Sequence, residues 1–290
     1  MNDNTLVSIL TTSDSDACVR AYNSIPDDYH KVVVVNTPDS DYYRELSGRL
    51  PGRNIINTLC TGTPGQGKQS VWDYFLTTDY EYLIMLEGDD VFLPGAVDTI
   101  VSWQTQLPAQ AWAVCGEDII SDQRVFSSWK SMDLDLVLDQ CDISDTQHDA
   151  MKAYMQQVFG LISHRGYDYQ RIVQIDRHTA QNHTYNTNLI GSEDVHMTSQ
   201  LKLSHLQGQT EFCICESQEI YCYLKNTHTG AGRRFMRSDT SELESEFYSD
   251  FTDSELELLR GTELLNNVIP PDLSDFVRHR WYLKMLRGRL

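Results

Sequence analysis

Short apolar runs alternate with helical stretches through the first 120 residues, and this alternation constrains the fold more than any other feature of the sequence. The runs have the length and the β-branched content of strands, and they cover Thr5–Thr11, Lys31–Val35, Asn54–Leu59, Tyr82–Leu86 and Trp112–Cys115. Runs such as KVVVV, with no polar alternation, indicate strands buried on both faces. Alternating strands and helices predict an α/β fold, a mostly parallel central sheet flanked by helices, with ligand loops at the carboxyl ends of the strands.

The rest of the chain has a different pattern. Residues 121–185 are polar and irregular, and a helix is predicted from Glu193 to Leu203. Two strands are predicted within Glu211–Lys225, and residues 236–290 have a helical, peripheral pattern. We therefore expect a helical C-terminal extension after the α/β part.

The composition excludes several classes of protein. The 42 Asp and Glu against 23 Lys and Arg give a net charge of −19, which disfavours nucleic-acid binding through a basic surface. No apolar run approaches the ~20 residues of a membrane-spanning helix, and the N-terminus lacks the features of a secretory signal. The seven cysteines include no CxxC pair, so free thiols in a reducing compartment are expected, and with them a cytoplasmic location.

Two blocks of like charge lie near the C-terminus. Residues 239–257 contain eight acids and no base, and residues 278–290 contain five bases and no acid. Such blocks usually form solvated helix faces, and these two can pair because their charges are opposite. The basic block also contains apolar and aromatic residues. Packing on the main domain is the preferred interpretation, and weak contact with a membrane surface is the alternative.

The segment GTPGQGKQS nearly matches a phosphate-binding P-loop. Gly62, Gly67 and Lys68 have the required spacing, but Gln69 stands where a P-loop needs a Ser or Thr to bind magnesium. Ser70 comes one position too late. A P-loop nucleotide hydrolase is therefore an alternative that lacks its metal ligand.

The segment LEGDDVFLPG places three acids directly after a predicted buried strand. Glu87, Asp89 and Asp90 lie within four residues, and like charges this close are costly unless they hold a cation or face water. Carboxylate oxygens at a strand end suit Mg²⁺ or Mn²⁺ bound to a diphosphate. The other interpretation is an acidic turn, since Gly-Asp-Asp is also good turn chemistry.

Two later segments contain further candidate catalytic and anion-binding residues. Glu193 and Asp194 open a predicted helix, where the helix dipole keeps a carboxylate ionised and suits it to act as a general base. An ordinary helix start capped by Ser192 is the alternative. The loop KNTHTGAGRR contains Arg233 and Arg234, which could bind a diphosphate or an acceptor anion in bidentate fashion.

The order of these segments resembles that of the GT-A glycosyltransferases, in particular the inverting group similar to family 2, over most of the chain. The family's first strand and turn look like VSILTTSDSD, which implies that Thr11 and Thr12 contact the nucleotide. The base-reading loop of the family looks like VVVVNTPDSD, with Asn36 where an aspartate is common and Asp39 nearby. The family's glycine-rich segment looks like GTPGQGKQSVWDYFL, which implies that Lys68 lies near the nucleotide.

The family's DxD motif falls on Glu87-Gly88-Asp89, with Glu87 in place of the first aspartate. The resemblance implies that Asp89 holds Mn²⁺ or Mg²⁺ and that Glu87 faces the ribose or the water shell of the cation. It also implies that Asp90 faces the donor sugar. A Leu-Pro-Gly sequence after the motif is also common in the family.

The family's Glu-Asp motif falls on Glu193 and Asp194, which implies that Asp194 is the general base and that Glu193 is the reserve candidate. His228 stands where the family often places a late histidine near the metal and the diphosphate. Arg233 and Arg234 follow in the same loop.

The resemblance implies a GT-A fold and a metal-dependent inverting glycosyltransferase. The donor would be a nucleotide diphosphate sugar, with a UDP-sugar preferred, and a hexose or pentose would pass to an acceptor hydroxyl. The transferase domain would cover residues 1–235, with a nucleotide-sugar half over 1–120 and an acceptor half over 121–235, and residues 236–290 would form the helical extension. A saccharide acceptor is preferred over a protein or a modified DNA base.

A third interpretation is a non-catalytic carbohydrate-binding protein on a degenerate transferase fold. Asn36 and Glu87 support this interpretation, because they replace the residues expected at two motif positions.

Overall fold

The computed structural model describes residues 4–59, 63–106, 109–115, 118–121, 124–126, 171–188, 193–216, 221–225, 251–260 and 265–267. Its strands are β1 (Thr5–Thr11), β2 (His30–Val35), β3 (Ile55–Asn57), β4 (Tyr82–Glu87), β5 (Val91–Phe92), β6 (Ala111–Cys115), β7 (Asp118–Ser121), β8 (Arg124–Phe126), β9 (Arg171–Asp176), β10 (Phe212–Glu216), β11 (Tyr221–Lys225) and β12 (Leu265–Asn267). Its helices are α1 (Ser15–Ser24), α2 (Ser40–Arg49), α3 (Pro64–Leu76), α4 (Ala96–Gln106), α5 (Arg177–Asn182), α6 (Glu193–Leu206) and α7 (Asp253–Arg260).

The central sheet has eight strands within the described part of the chain, in the order β12-β10-β6-β9-β4-β1-β2-β3. All neighbouring pairs are parallel except those of β9, which runs antiparallel to both β4 and β6. A second sheet joins β5, β11, β7 and β8. The predicted α/β fold with a mostly parallel central sheet is therefore confirmed.

Helices cover both faces of the central sheet because its strands are apolar on both sides. Along β2, Val33 and Val35 pack in the core cluster that contains residues of α1, α2 and α4. Val32 and Val34 point to the opposite face and pack with residues of α3, α5 and α6. This alternation follows from the period of two residues along a strand.

Short polar side chains begin the helices that follow the strands. Asp14 caps α1 by accepting a hydrogen bond from the Ala17 N–H at 2.9 Å. Thr63 caps α3 by accepting from the Gln66 N–H at 3.2 Å, with a proline at the first helical position. Both arrangements satisfy N–H groups that have no partner within the helix.

The predicted strands and helices of the first 115 residues are all present, with small shifts at their ends. Helix α3 begins at Pro64, so the glycine-rich segment forms its first turn. Strand β9 lies in a stretch expected to be irregular, yet Val173, Gln174 and Ile175 are completely buried at the centre of the sheet.

The C-terminal extension contains the helix α7, as expected, and also the short strand β12, which pairs with β10 in the central sheet. Leu259 of α7 is completely buried, and its carbonyl accepts a 2.8 Å hydrogen bond from the buried ammonium of Lys202 on α6. Among the described residues, no helix has both the length and the apolar character needed to cross a membrane.

Candidate active site

The carboxyl ends of β1, β2 and β4 meet at one edge of the central sheet and bring three predicted site residues together: Thr11, Asn36 and Glu87. The Asn36 N–H donates to the Thr11 carbonyl at 2.8 Å, and the Gly88 N–H donates to the Leu10 carbonyl at 2.6 Å. Parallel strands in one sheet produce such an edge, which is where α/β proteins bind ligands.

Asn36 is buried beside the glycine-rich start of α3. A Cβ atom on Gly67 would lie 2.5 Å from the amide nitrogen of Asn36, so only glycine fits there without movement of the amide. The side-chain oxygen of Asn36 has no hydrogen-bond partner in the part of the chain that is described. A buried acceptor of this kind normally has a donor, which an ordered water or a bound ligand supplies.

Three other residues predicted to bind the nucleotide lie at or just after the ends of β1 and β2. The hydroxyl groups of Thr11 and Tyr42 are 2.5 Å apart, and Thr12 is exposed. Asp39 is exposed and caps α2 by accepting hydrogen bonds from the N–H groups of Asp41 and Tyr42, at 2.8 and 3.2 Å. The structure thus explains Asp39 as a helix cap and leaves its side chain at the same edge.

Lys68 lies at the centre of a group of three carboxylates. Its Nζ atom is 2.7 Å from Glu87 Oε1 and 2.8 Å from Glu193 Oε1, and it also contacts Asp194 Oδ1. The side chain of Lys68 is 5% exposed. We name this group, Lys68 with Glu87, Glu193 and Asp194, the lysine cluster.

The electrostatics of the lysine cluster favour the charged form of Lys68. Burial alone lowers the pKa of an ammonium, but Asp194, Glu193 and Glu87 outweigh it and hold the pKa of Lys68 well above its ordinary value. Three negative charges surround one positive charge, so the cluster as a whole is negative. A negative pocket suits a further cation nearby or a proton.

Tyr185 closes one side of the lysine cluster and was not predicted from the sequence. Its ring packs edge-on against Trp72 with the centroids 4.8 Å apart, and its N–H donates to the side chain of Gln69 at 2.9 Å. Its buried hydroxyl has no hydrogen-bond partner among the described residues. Burial, and then the charge of Asp194, raise the pKa of Tyr185 well above its usual value, so the phenol stays protonated. No motif marks this position.

A second group of carboxylates lies in the turn after β4. The ligand oxygens of Glu87, Asp89 and Asp90 all lie within 4.8 Å of one another, as do those of Glu87, Glu193 and Asp194. Asp90 is completely buried, and its N–H donates to the Glu87 carbonyl at 3.1 Å. Three carboxylates at this spacing are a donor set that fits Mg²⁺ or Mn²⁺. Glu87 belongs to both groups.

A small pocket borders the lysine cluster. Lys68, Glu87 and Asp194 line it together with residues of β1, β4, β9 and α3, among them Ser8 and Ile172. The candidate base therefore faces a space between the sheet and the helices α3 and α6.

The structure brings most of the predicted site residues together. Glu193 and Asp194 begin α6, as expected, and stand beside Glu87 although they are more than a hundred residues away in the chain. The predicted residues His228, Arg233 and Arg234 lie outside the described residues. The first turn of α3, with Lys68 among carboxylates, differs from a loop that cradles phosphate, which counts against the P-loop alternative.

Known proteins match this chain through structure alone. Its sequence matches no protein-family model and no curated protein. A crystal structure of S. aureus TarS 1–349 matches with a TM-score of 0.51 and 10% identity, over 88% of this chain and 69% of that chain. TarS 1–349 in complex with UDP-GlcNAc matches with a TM-score of 0.54 and 10% identity, over 88% and 70% of the two chains. The sheet and helices described above therefore form a GT-A fold, as the sequence predicted.

Proposed function

We propose that this protein is an inverting glycosyltransferase that moves a sugar from a nucleotide diphosphate sugar to an acceptor hydroxyl. The observation that carries the proposal is the meeting of two acidic motifs, Glu87 to Asp90 and Glu193-Asp194, at the carboxyl edge of a GT-A sheet. The likeness to TarS, which was solved with UDP-GlcNAc, supports a UDP-sugar as the donor. A saccharide is the preferred acceptor.

The donor would lie along the edge where β1, β2 and β4 end. The unpartnered buried oxygen of Asn36 is proposed to turn toward a nucleobase N–H. Thr11 is hydrogen-bonded to Asn36 through the backbone, and Thr12 and Asp39 follow β1 and β2 in the chain. This placement agrees with nucleotide binding at the carboxyl ends of parallel strands. Arg233 and Arg234 are proposed to bind the diphosphate in bidentate fashion.

The turn after β4 is proposed to hold Mn²⁺ or Mg²⁺. Asp89 would bind the cation, with Glu87 and Asp90 beside it and His228 as a further ligand. When bound, the cation supplies positive charge that stabilises the departing diphosphate. Asp90 would face the donor sugar.

Asp194 is proposed to be the general base. The acceptor oxygen forms a bond to the anomeric carbon while the bond from that carbon to the diphosphate oxygen breaks, with inversion, and the acceptor proton passes to the Asp194 carboxylate. Asp194 lies in the first turn of α6, where the helix dipole favours the ionised form that accepts a proton. Glu193 is the reserve candidate for this role.

The variant D194N tests the proposal. Because general-base catalysis is worth about 10²–10⁴-fold, we expect turnover to fall by that factor while donor affinity is kept. Release of UDP from UDP-GlcNAc, UDP-glucose and UDP-galactose, and of GDP from GDP-mannose, measures turnover, and calorimetry measures affinity. D98N is the matched control, since Asp98 also lies in the first turn of a helix but contacts Tyr29, the residue just before the amino end of β2, at the opposite edge of the sheet. Normal turnover by D194N contradicts the assignment, and wild-type protein that binds a donor without cleaving it favours the non-catalytic carbohydrate-binding alternative.

A further inference from the structure

The ammonium of Lys68 has its full set of hydrogen-bond acceptors within the protein. A lysine side chain offers three N–H donors. Three carboxylate oxygens contact Nζ, those of Glu87, Glu193 and Asp194, and the side chain is 5% exposed. No donor of Lys68 is left over for a diphosphate.

The lysine cluster joins three elements that are far apart in sequence. Lys68 comes from α3, Glu87 ends β4, and Glu193 and Asp194 begin α6. Lys68 and Asp194 are 126 residues apart in the chain. Without a cation between them, three carboxylates at this spacing would repel one another, and α6 would lose the contact that draws its first turn to the end of β4.

We infer that Lys68 is a positioning residue that fixes the carboxylates of Glu193 and Asp194 against Glu87, and that it does not bind the donor. This inference rests on the proposed function, because it assigns Lys68 to the placement of the proposed base. It replaces the expectation from sequence that Lys68 contacts the nucleotide.

Glu87 connects the lysine cluster to the acidic turn after β4. The same carboxylate belongs to the acidic group of the turn after β4, so one side chain connects the proposed donor side of the site with the base side. Lys68 therefore sets the distance between the two proposed halves of the reaction. Its loss affects the rate with bound donor more than the binding of donor.

The experiment compares K68M and K68R with wild-type protein. K68M removes the charge at similar length, and we expect kcat at saturating donor to fall about 100-fold, the cost of a misplaced catalytic group. K68R keeps the charge but has a planar group, and we expect a fall of about tenfold. Donor Kd should stay within about threefold of wild type in both variants, since the lost contact is not to the donor. The probe is UDP-GlcNAc with Mn²⁺, or whichever of the four nucleotide sugars named above the wild-type protein cleaves.

K31M is the matched control. The side chain of Lys31 is 4% exposed, and its ammonium bonds the Ile25 carbonyl and Asp27, at the opposite end of β2 from the site. Both variants remove a sheltered lysine that has an ion pair, but we expect K31M to keep its kcat. Hydrogen exchange of the first turn of α6 should increase in K68M and stay unchanged in K31M.

The kinetic and binding results distinguish a positioning role of Lys68 from a role in donor binding. A tenfold loss of donor affinity with kcat preserved makes Lys68 a donor ligand and overturns the inference, as does a wild-type kcat in K68M. If K68M does not fold, K68R decides by the same comparison, and a wild-type kcat in K68R also overturns the inference. Wild-type protein that neither binds nor cleaves any of the nucleotide sugars overturns the proposed function itself, and the inference with it.

Discussion

Gly88, in the middle of the Glu87-Gly88-Asp89 motif, has no room for a side chain. A Cβ atom there would lie 2.7 Å from the Cβ of Thr11 and 2.9 Å from the carbonyl oxygen of Leu10. The Gly88 N–H also donates to that same carbonyl. The turn that carries the acids is therefore pressed against the end of β1, where the nucleotide is proposed to bind.

The variant G88A should lower the free energy of unfolding by about 1–3 kcal/mol, because the backbone of β1 must move away from the new methyl group. Urea denaturation measures the change. G48A is the control: Gly48 lies in α2 with no atom within 4 Å of a new Cβ, and alanine there should raise stability by about 0.5–1 kcal/mol. Equal stability of wild type and G88A would contradict the close approach.

The sequence allowed most of the candidate site residues to be named, but it did not show which of them contact one another. Asp89 and Asp194 were identified by the order of the motifs that contain them, because an acid in a turn or at a helix start is by itself common, as the caps Asp14 and Asp39 show. The partners of Lys68 could not be predicted, because its contact with Asp194 spans 126 residues of chain. Tyr185 was missed for the same reason, since its place beside Trp72 arises from packing between distant elements.

At the level of elements, α7 supports the helix that carries the proposed base. Leu259 is completely buried, its carbonyl accepts the hydrogen bond of Lys202 on α6, and the rings of Phe251 and His196 lie 5.2 Å apart. His196 lies two residues after Asp194. Packing of α7 thus restrains α6 close to the lysine cluster.

The two adjacent leucines of α7 provide a test of this packing. L259A should lower the free energy of unfolding by about 2–5 kcal/mol, because it leaves a cavity against α6. L258A should change it by less than about 1 kcal/mol, since Leu258 is 43% exposed. Chemical denaturation of the two variants gives both values. Similar losses in the two would show that α7 does not dock as described.

Strands could be predicted where their own residues show a strand pattern. They were missed where pairing with distant strands is what makes them form. β1, β2 and β4 are short, largely apolar runs, which is the local pattern of buried strands. β9 reads RIVQID, and its charged ends and central glutamine hide a strand that becomes central because β4 and β6 pair with it on both sides. The pairing of β12 with β10 depends on the same kind of long-range contact.

At the scale of the whole molecule, the net charge of −19 says less about function than the placement of a few charges. Five carboxylates, Glu87, Asp89, Asp90, Glu193 and Asp194, collect at one edge of the sheet, and three of them contact the buried Lys68. A protein with this arrangement should be stabilised by a divalent cation together with an anionic donor, because each offsets the charge of the other.

Binding of the donor should therefore raise the melting temperature of the whole protein, and only when Mn²⁺ is present. Ligand at 100 times its Kd adds about 2.7 kcal/mol, which corresponds to roughly 5 °C for a chain of this size. Thermal shift with UDP-GlcNAc, with and without Mn²⁺, measures this, and D89A should abolish the part that depends on the metal. D98A serves as the control for loss of an acid at the opposite edge of the sheet. An equal shift in D89A would mean that the acidic turn is only structural.

The reversed direction of β9 fixes the edge at which the preceding chain joins the central sheet. Since β9 runs against β4 and β6, the chain enters it at Arg171, which pairs with Val114 near the carboxyl end of β6. The chain that precedes Arg171 is thus joined to the sheet at the edge where the proposed site lies. Under the proposed function, we propose that substitutions in that segment alter which acceptor is recognised and leave β1, β2 and β4 untouched. The proposed donor side and the proposed acceptor side would then diverge at different rates.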